Sequence, residues 1–166
     1  SCDRSLIRDS KTLSTRQRQK SIDIIKNIAL SIAVSFADMR EIEDIGIQDA
    51  TFLAMRRAVK NLNHRVDLLL VDGRFTLPLY KLQQQAIVKG DQLSFSIAAA
   101  SVVAKETRDN YMREQAKEYP LYGFDAHVGY GTKRHIENIT SHGPCVLHRK
   151  NFEPIKSMLD VTHLNN

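Results

Sequence analysis

Residues 30–37, Leu-Ser-Ile-Ala-Val-Ser-Phe-Ala, set Leu30, Ile32, Val34 and Phe36 against Ser31, Ala33, Ser35 and Ala37. A period of two predicts a strand with one face of large side chains. Ahead of it, Ser14-Thr15-Arg16-Gln17 fits a capping box, and Ile22, Ile25 and Ala29 mark one face of a helix to about residue 29. Asp49 predicts the cap of a second helix, with the stripe Phe52, Met55, Val59 and Leu62 and an end near Asn63. Leu68–Val71 is continuously apolar, as expected of a strand covered on both faces. A loop with Gly73 and Pro78 leads to a short strand at 86–88. A long helix rich in small residues, including Ala98–Ser101 and Ala104, is predicted from about Ser94 to Glu118, suited to close packing on a sheet. A glycine-punctuated loop follows, then a short helix from Thr132 that stops near Gly143-Pro144. Phe152, Ile155 and Leu159 predict a last amphipathic turn or two. The pattern reads as one α/β domain over residues 1–166, without a linker.

Composition changes this picture little. At 166 residues, 42% hydrophobic and 26% charged, the chain can bury a single sizeable core. A formal net charge of +5, from 24 Lys+Arg against 19 Asp+Glu, permits a polyanionic partner. Cys2 and Cys145 form neither a metal motif nor a disulfide framework, so a reducing, cytoplasmic setting is the default, with a monomer expected. The apolar runs fall well short of the roughly 18 residues of a membrane span. Ser1 in place of Met fits a processed chain or a fragment.

Two apolar runs stop at acids. Leu68–Val71 meets Asp72, and Ala86–Val88 is followed by Lys89-Gly90-Asp91. Ligands of open α/β sheets sit outside the carboxyl ends of the strands, where both acids fall. Paired carboxylates raise each other's pKa unless a cation lies between them, and hard oxygen donors suit Mg²⁺ or Mn²⁺ with a phosphate substrate. The alternative is structural: Asp72 opening a turn with Gly73, and Asp91 capping the next helix.

The ordered motifs RDSK (8–11), ATFLAMRRAV (50–59), LLLVDG (68–73), AIVKGD (86–91), SIAAASVVAKETRD (96–109), YGFDAHVGYGT (122–132) and HRKNFEP (148–154) extend over nearly the whole chain. Together they closely resemble bacterial ribonuclease HII, the type 2 ribonuclease H. The resemblance implies the ribonuclease H-like fold, a mixed sheet flanked by helices, with four carboxylates around one or two divalent ions. It implies an endoribonuclease that hydrolyses the RNA strand of RNA–DNA hybrids and nicks at ribonucleotides in duplex DNA, in replication and repair. It makes Asp72 and Asp91 the third and fourth acids, catalytic and metal-holding with Mg²⁺ or Mn²⁺. Tyr130 in GYGT matches the tyrosine that packs on the sugar at the RNA–DNA junction, beside the 2′-OH. Taken alone, Tyr130 reads equally well as a core aromatic. Ser10 and Lys11 match phosphate-contacting positions, although Arg8 stands where the family usually has Asn.

The family's first two acids lie in a D-E-x-G-R-G strand upstream of D-S-K, and Ser1–Arg8 has neither an adjacent Asp-Glu pair nor a glycine. The reading is therefore an N-terminally incomplete chain whose opening strands are missing, leaving neighbouring strands with unpaired backbone groups and an exposed apolar face. A catalytically incompetent nucleic-acid-binding fragment or remnant is the alternative function. Other polar residues read as structural. Arg56-Arg57 is a solvated face, Asp3 is a loop acid, and Glu106 and Asp109 pair locally with Lys105, Arg108 or Arg113. The six histidines hold no HExxH or close pair, which argues against zinc, and His148-Arg149 is structural.

Overall fold

The computed structural model describes Ile7 and residues 13–164, with side chains through Asp160. Its elements run α1 (Thr15–Ile28), α2 (Met39–Lys60), β1 (Leu69–Asp72), β2 (Gln84–Ile87), α3 (Gly90–Leu93) and α4 (Phe95–Glu118). A 3₁₀ turn (Pro120–Tyr122), α5 (Phe124–His127), α6 (Lys133–His142) and α7 (Ile155–Leu164) complete them. Two compact units result, one of Ser1–Phe36 with Phe52–Arg108, the other of Ala37–Thr51 with Asp109–Asn166. The architecture is α/β and rich in helix, around a small parallel sheet.

In the first unit, α1 begins as its capping box requires. The Ser14 hydroxyl accepts from the Gln17 N–H, and the Gln17 side chain accepts from the Ser14 N–H at 2.9 Å. Ile25 packs with Leu13, Ile7, Ala98 and Val102, so the small residues of α4 meet α1. Phe52 of α2 packs on Val71 and Leu77, which covers β1. β1 and β2 are parallel, with Asp72 opposite Ile87.

Two expectations change. The alternating segment at 30–37 joins no ladder among the described residues, so the expected strand does not form. Its small side chains lie half-buried, while Leu30 (83% exposed), Ile32, Val34 and Phe36 face solvent. The stretch after α2 and its last turns, rather than a neighbouring strand, meet several of its polar groups: the Arg57 side chain donates to the Phe36 carbonyl, the Asn61 side chain to the Ser35 hydroxyl and the Asn63 backbone N–H to the Ser31 hydroxyl. Alternation sets which way side chains point, but a strand also needs a partner for its backbone.

The second helix begins ten residues before Asp49. Asp38 and Glu41 form a reciprocal cap at its start, and Gly46 (φ 80°) breaks it into two arms. Only a residue without a Cβ enters that conformation cheaply.

Glu106 reaches across to another helix. It receives Arg18 Nε at 3.1 Å, both side chains being buried. Arg18 also donates Nη1 to the Leu13 carbonyl at 2.7 Å, so one guanidinium ties α1, α4 and the chain ahead of α1 together.

Breaking this pair from one side leaves a buried charge without its counterion, which costs about 3–5 kcal/mol, whereas replacing both partners with apolar groups is often neutral. Arg18→Met should therefore lower the urea midpoint sharply, and Arg18→Met/Glu106→Leu should recover most of the loss. Equal midpoints for the single and double variants would contradict this role.

Candidate functional site

The polypeptide leaves β2 through Val88 and turns sharply at Lys89, which takes a left-handed conformation (φ 55°, ψ 40°). A lysine there is strained by roughly 1–3 kcal/mol, a cost that tends to concentrate at functional sites. The turn aims the Gly90 N–H at Asp72, whose Oδ1 accepts it at 2.8 Å. A second bond, from the Gly73 N–H to the Ile87 carbonyl at 2.9 Å, extends the parallel ladder just past Asp72. Asp72 and Asp91 thus stand at the same carboxyl end of the sheet, joined through one glycine.

Gly90 is buried and no other residue fits easily there. A Cβ would lie 2.5 Å from Ile97 Cδ1 and 3.2 Å from Asp72 Oδ1. The helix-cap reading of Asp91 finds little support. Asp91 sits in the first turn of α3, Lys89 holds its N-cap position, and Ser94 receives the Ile97 and Ala98 amides at the start of α4. Asp72 is exposed and Asp91 half-buried, so both carboxylates stay within reach of water.

These donors are of the right kind for Mg²⁺ or Mn²⁺, both being hard carboxylate oxygens on ordered backbone. Among the described residues, no group of three His, Cys, Asp or Glu side chains is arranged to hold a metal ion. The acid pair is therefore a partial set.

Tyr130 belongs to the second unit and is not a core aromatic: its side chain is 52% exposed. Its backbone is tightly held. The Tyr130 N–H donates to the His127 carbonyl at 2.9 Å, and its own carbonyl accepts from the Thr132 N–H at 2.8 Å. Thr132 caps α6 by accepting from the His135 N–H. Val128 (φ 45°) and Gly129 (φ 81°) make the left-handed corner that presents the loop. Ser10 and Lys11 lie outside the described residues.

Sequence reasoning missed a buried cluster of three histidines, because His127, His135 and His148 are spread along the chain with no motif spacing. His127 and His135 stack with centroids 4.3 Å apart, and His135 and His148 meet at 3.1 Å through Nε2 atoms. Phe124 and Tyr122 line the cluster. Arg149 lies over the Phe152 ring at 4.1 Å, which gives the expected structural role of the His148-Arg149 pair a definite form.

With this geometry in view, comparison with known proteins is decisive. The family model for ribonuclease HII matches residues 4–155. The chain belongs to the ribonuclease HII family. The ribonuclease HII of Endomicrobium trichonymphae is 46% identical over 159 residues, covering 96% of this chain and 76% of that protein. That of Caldicellulosiruptor bescii is 44% identical over 155 residues, with 93% and 74% covered. The fold resembles the crystal structure of ribonuclease H2 from Pyrococcus horikoshii OT3, with a TM-score of 0.77 at 20% identity, over 97% of this chain and 83% of that one. As a ribonuclease HII family member the chain is a hydrolase, an endonuclease of the ribonuclease H type, and its substrate class is nucleic acid. None of the helices is long and apolar enough to cross a membrane among the described residues.

The Gly90–Asp72 contact is directly testable. Gly90→Ala forces the Ile97 side chain aside, and overpacking of this kind costs about 1–3 kcal/mol. Ile97→Val removes the Cδ1 methyl in the way, so Gly90→Ala/Ile97→Val should be less destabilised than the sum of its single changes, measured by urea denaturation. Strict additivity would mean that the glycine is not held by that packing.

Proposed function

We propose that the chain's site hydrolyses the RNA strand of RNA–DNA hybrids and nicks duplex DNA at embedded ribonucleotides, with Asp72 and Asp91 as metal-holding carboxylates. The observation that carries this reading is the Gly90 N–H to Asp72 bond, which fastens two acids at one strand end of a ribonuclease HII chain. When bound, Mg²⁺ or Mn²⁺ supplies an activated water and offsets the charge that develops on the phosphate. The chain's own groups do the rest. Asp72 is oriented by the Gly90 amide before substrate arrives, and Asp91 is carried on the first turn of α3. Preorganised groups of this kind lower a barrier because they need little rearrangement during the reaction.

Substrate recognition divides between charge and shape. The net charge of +5 favours a polyanion by a sequence-independent, salt-sensitive attraction. In this reading Ser10 and Lys11 contact phosphate, and Tyr130 packs on the sugar at the RNA–DNA junction, where the 2′-OH separates RNA from DNA. Its half-exposed ring on a fixed backbone supports that role. A cytoplasmic monomer acting in replication and repair completes the proposal.

The test uses a DNA duplex with one ribonucleotide and this chain extended by a relative's D-E-x-G-R-G segment. Asp91→Asn keeps size and removes charge, so duplex affinity should persist within about twofold while cleavage with Mg²⁺ or Mn²⁺ falls by more than about 100-fold. Outer-shell partners of metals already account for 10–100-fold, and a ligand should exceed them. Undiminished cleavage by the variant would overturn the assignment of Asp91. The unextended chain should bind the duplex but cleave it weakly, since its acid set is partial. Strong cleavage by it would show that two carboxylates suffice.

A further inference from the structure

His135, His148 and Cys145 form a chain of hydrogen bonds whose proton positions are fixed from both ends. At one end, the Tyr130 carbonyl can only accept, so His135 Nδ1, 2.9 Å away, must carry a proton. At the other end, the Cys145 N–H can only donate, so His148 Nδ1, at 3.0 Å, must be a lone pair. The Cys145 thiol, 3.2 Å from the same nitrogen, donates to it as well. Two neutral imidazoles then leave His148 with Nε2–H and His135 with a bare Nε2. These are the two atoms that meet at 3.1 Å, one donor facing one acceptor. His127 is fixed independently, since its Nε2 faces the Tyr122 carbonyl at 2.8 Å and its Nδ1 accepts from the Gly129 N–H.

We infer that His135, held by His148 and Cys145, is a positioning residue for Tyr130: it pins the carbonyl of the substrate-facing tyrosine to the buried core of the second unit. The inference rests on the reading of Tyr130 as a substrate contact and deepens it. The chain is all-or-none in its proton pattern. A second proton on His135 would place two N–H groups against each other at the Nε2 contact. A second proton on His148 would turn Nδ1 against the Cys145 amide.

Burial opposes either event. Both imidazoles are pushed below the ordinary histidine range, first by loss of water around the charged form and then by repulsion among the rings. Burial also raises the Cys145 thiol, which keeps its proton available to His148. The titratable and charged groups facing the pair are His127, Cys145 and Tyr122, the last donating its hydroxyl to the Gly143 carbonyl. Arg134 lies beyond Gly123 on the His127 side. The sign follows from these shifts. The unfolded chain takes up protons near 6.5 while the folded rings resist, so the stabilisation is complete above about pH 6.5 and is lost as the pH falls through the lower folded values.

The experiment measures binding of a DNA duplex with one ribonucleotide to the full chain by fluorescence anisotropy. Tyr130→Ala should weaken binding roughly fivefold or more, the lower range for losing an aromatic stacking partner. His135→Ala should weaken it comparably, and the double variant should bind no worse than either single one. His135→Asn, which can return a donor N–H to the Tyr130 carbonyl, should recover part of the loss, and it guards against a variant that merely misfolds. As the pH falls through the values of the folded rings, which lie below the ordinary histidine range, the ratio of wild-type to Tyr130→Ala affinity should fall towards one. Nitrogen-15 spectra of the wild-type rings should show His135 protonated at Nδ1 and His148 at Nε2. Loss of affinity with Tyr130→Ala but none with His135→Ala overturns the positioning role alone. No loss with Tyr130→Ala overturns the substrate reading of Tyr130 and the role of His135 with it. The opposite ring tautomers would overturn the hydrogen-bond chain whatever the binding shows.

Discussion

The hydrogen bond from the Gly90 amide to the Asp72 carboxylate organises the first unit's functional end. A parallel pair alone would deliver Asp72 to its carboxyl end and then let the chain wander. The left-handed turn at Lys89 redirects the backbone, and the buried glycine lets it come close enough for its amide to reach Asp72. Asp91 follows one residue later. The left-handed turn at Lys89 and the absence of a side chain at Gly90 therefore act together in bringing the backbone ahead of Asp91 against Asp72.

Much of this was legible in the sequence because its cause is local. The capping box at Ser14–Gln17, the apolar run ending at Asp72 and the Thr132 start of α6 are set by residues a few positions apart. Asp72 and Asp91 were legible as strand-end acids for the same reason, and the ordered motifs identified the family. The segment at 30–37 marks the limit. Its alternation survives in the burial, large residues exposed and small ones half-buried, but pairing is a property of two segments, and among the described residues none pairs with it. Asp38 and Glu41 were passed over for Asp49 because nothing in the pattern revealed that Gly46 would break the helix into two arms.

The buried polar groups were the least legible. Arg18 and Glu106 are 88 positions apart, and only the packing of α1 on α4 makes them partners. His127, His135 and His148 have no spacing that a metal or catalytic motif would require, and each looks unremarkable along the chain. Their relationship is carried by proton positions, which depend on which carbonyl and which amide stand at the two ends. Buried polar networks of this kind are costly when incomplete and specific when complete. Tyr130 is thereby attached through its carbonyl to a network fixed by hydrogen bonds.

The central claim, that Asp72 and Asp91 together hold a divalent ion, is tested most directly by titrating the nitrogen-15-labelled chain with substoichiometric Mn²⁺ and following its amide signals. A paramagnetic ion broadens the nearest amides first. Selective loss of the Gly73, Gly90 and Gln92 signals, abolished by Asp72→Asn, is the result the account predicts. Broadening centred on the histidine cluster, or none that favours the strand ends, would contradict it.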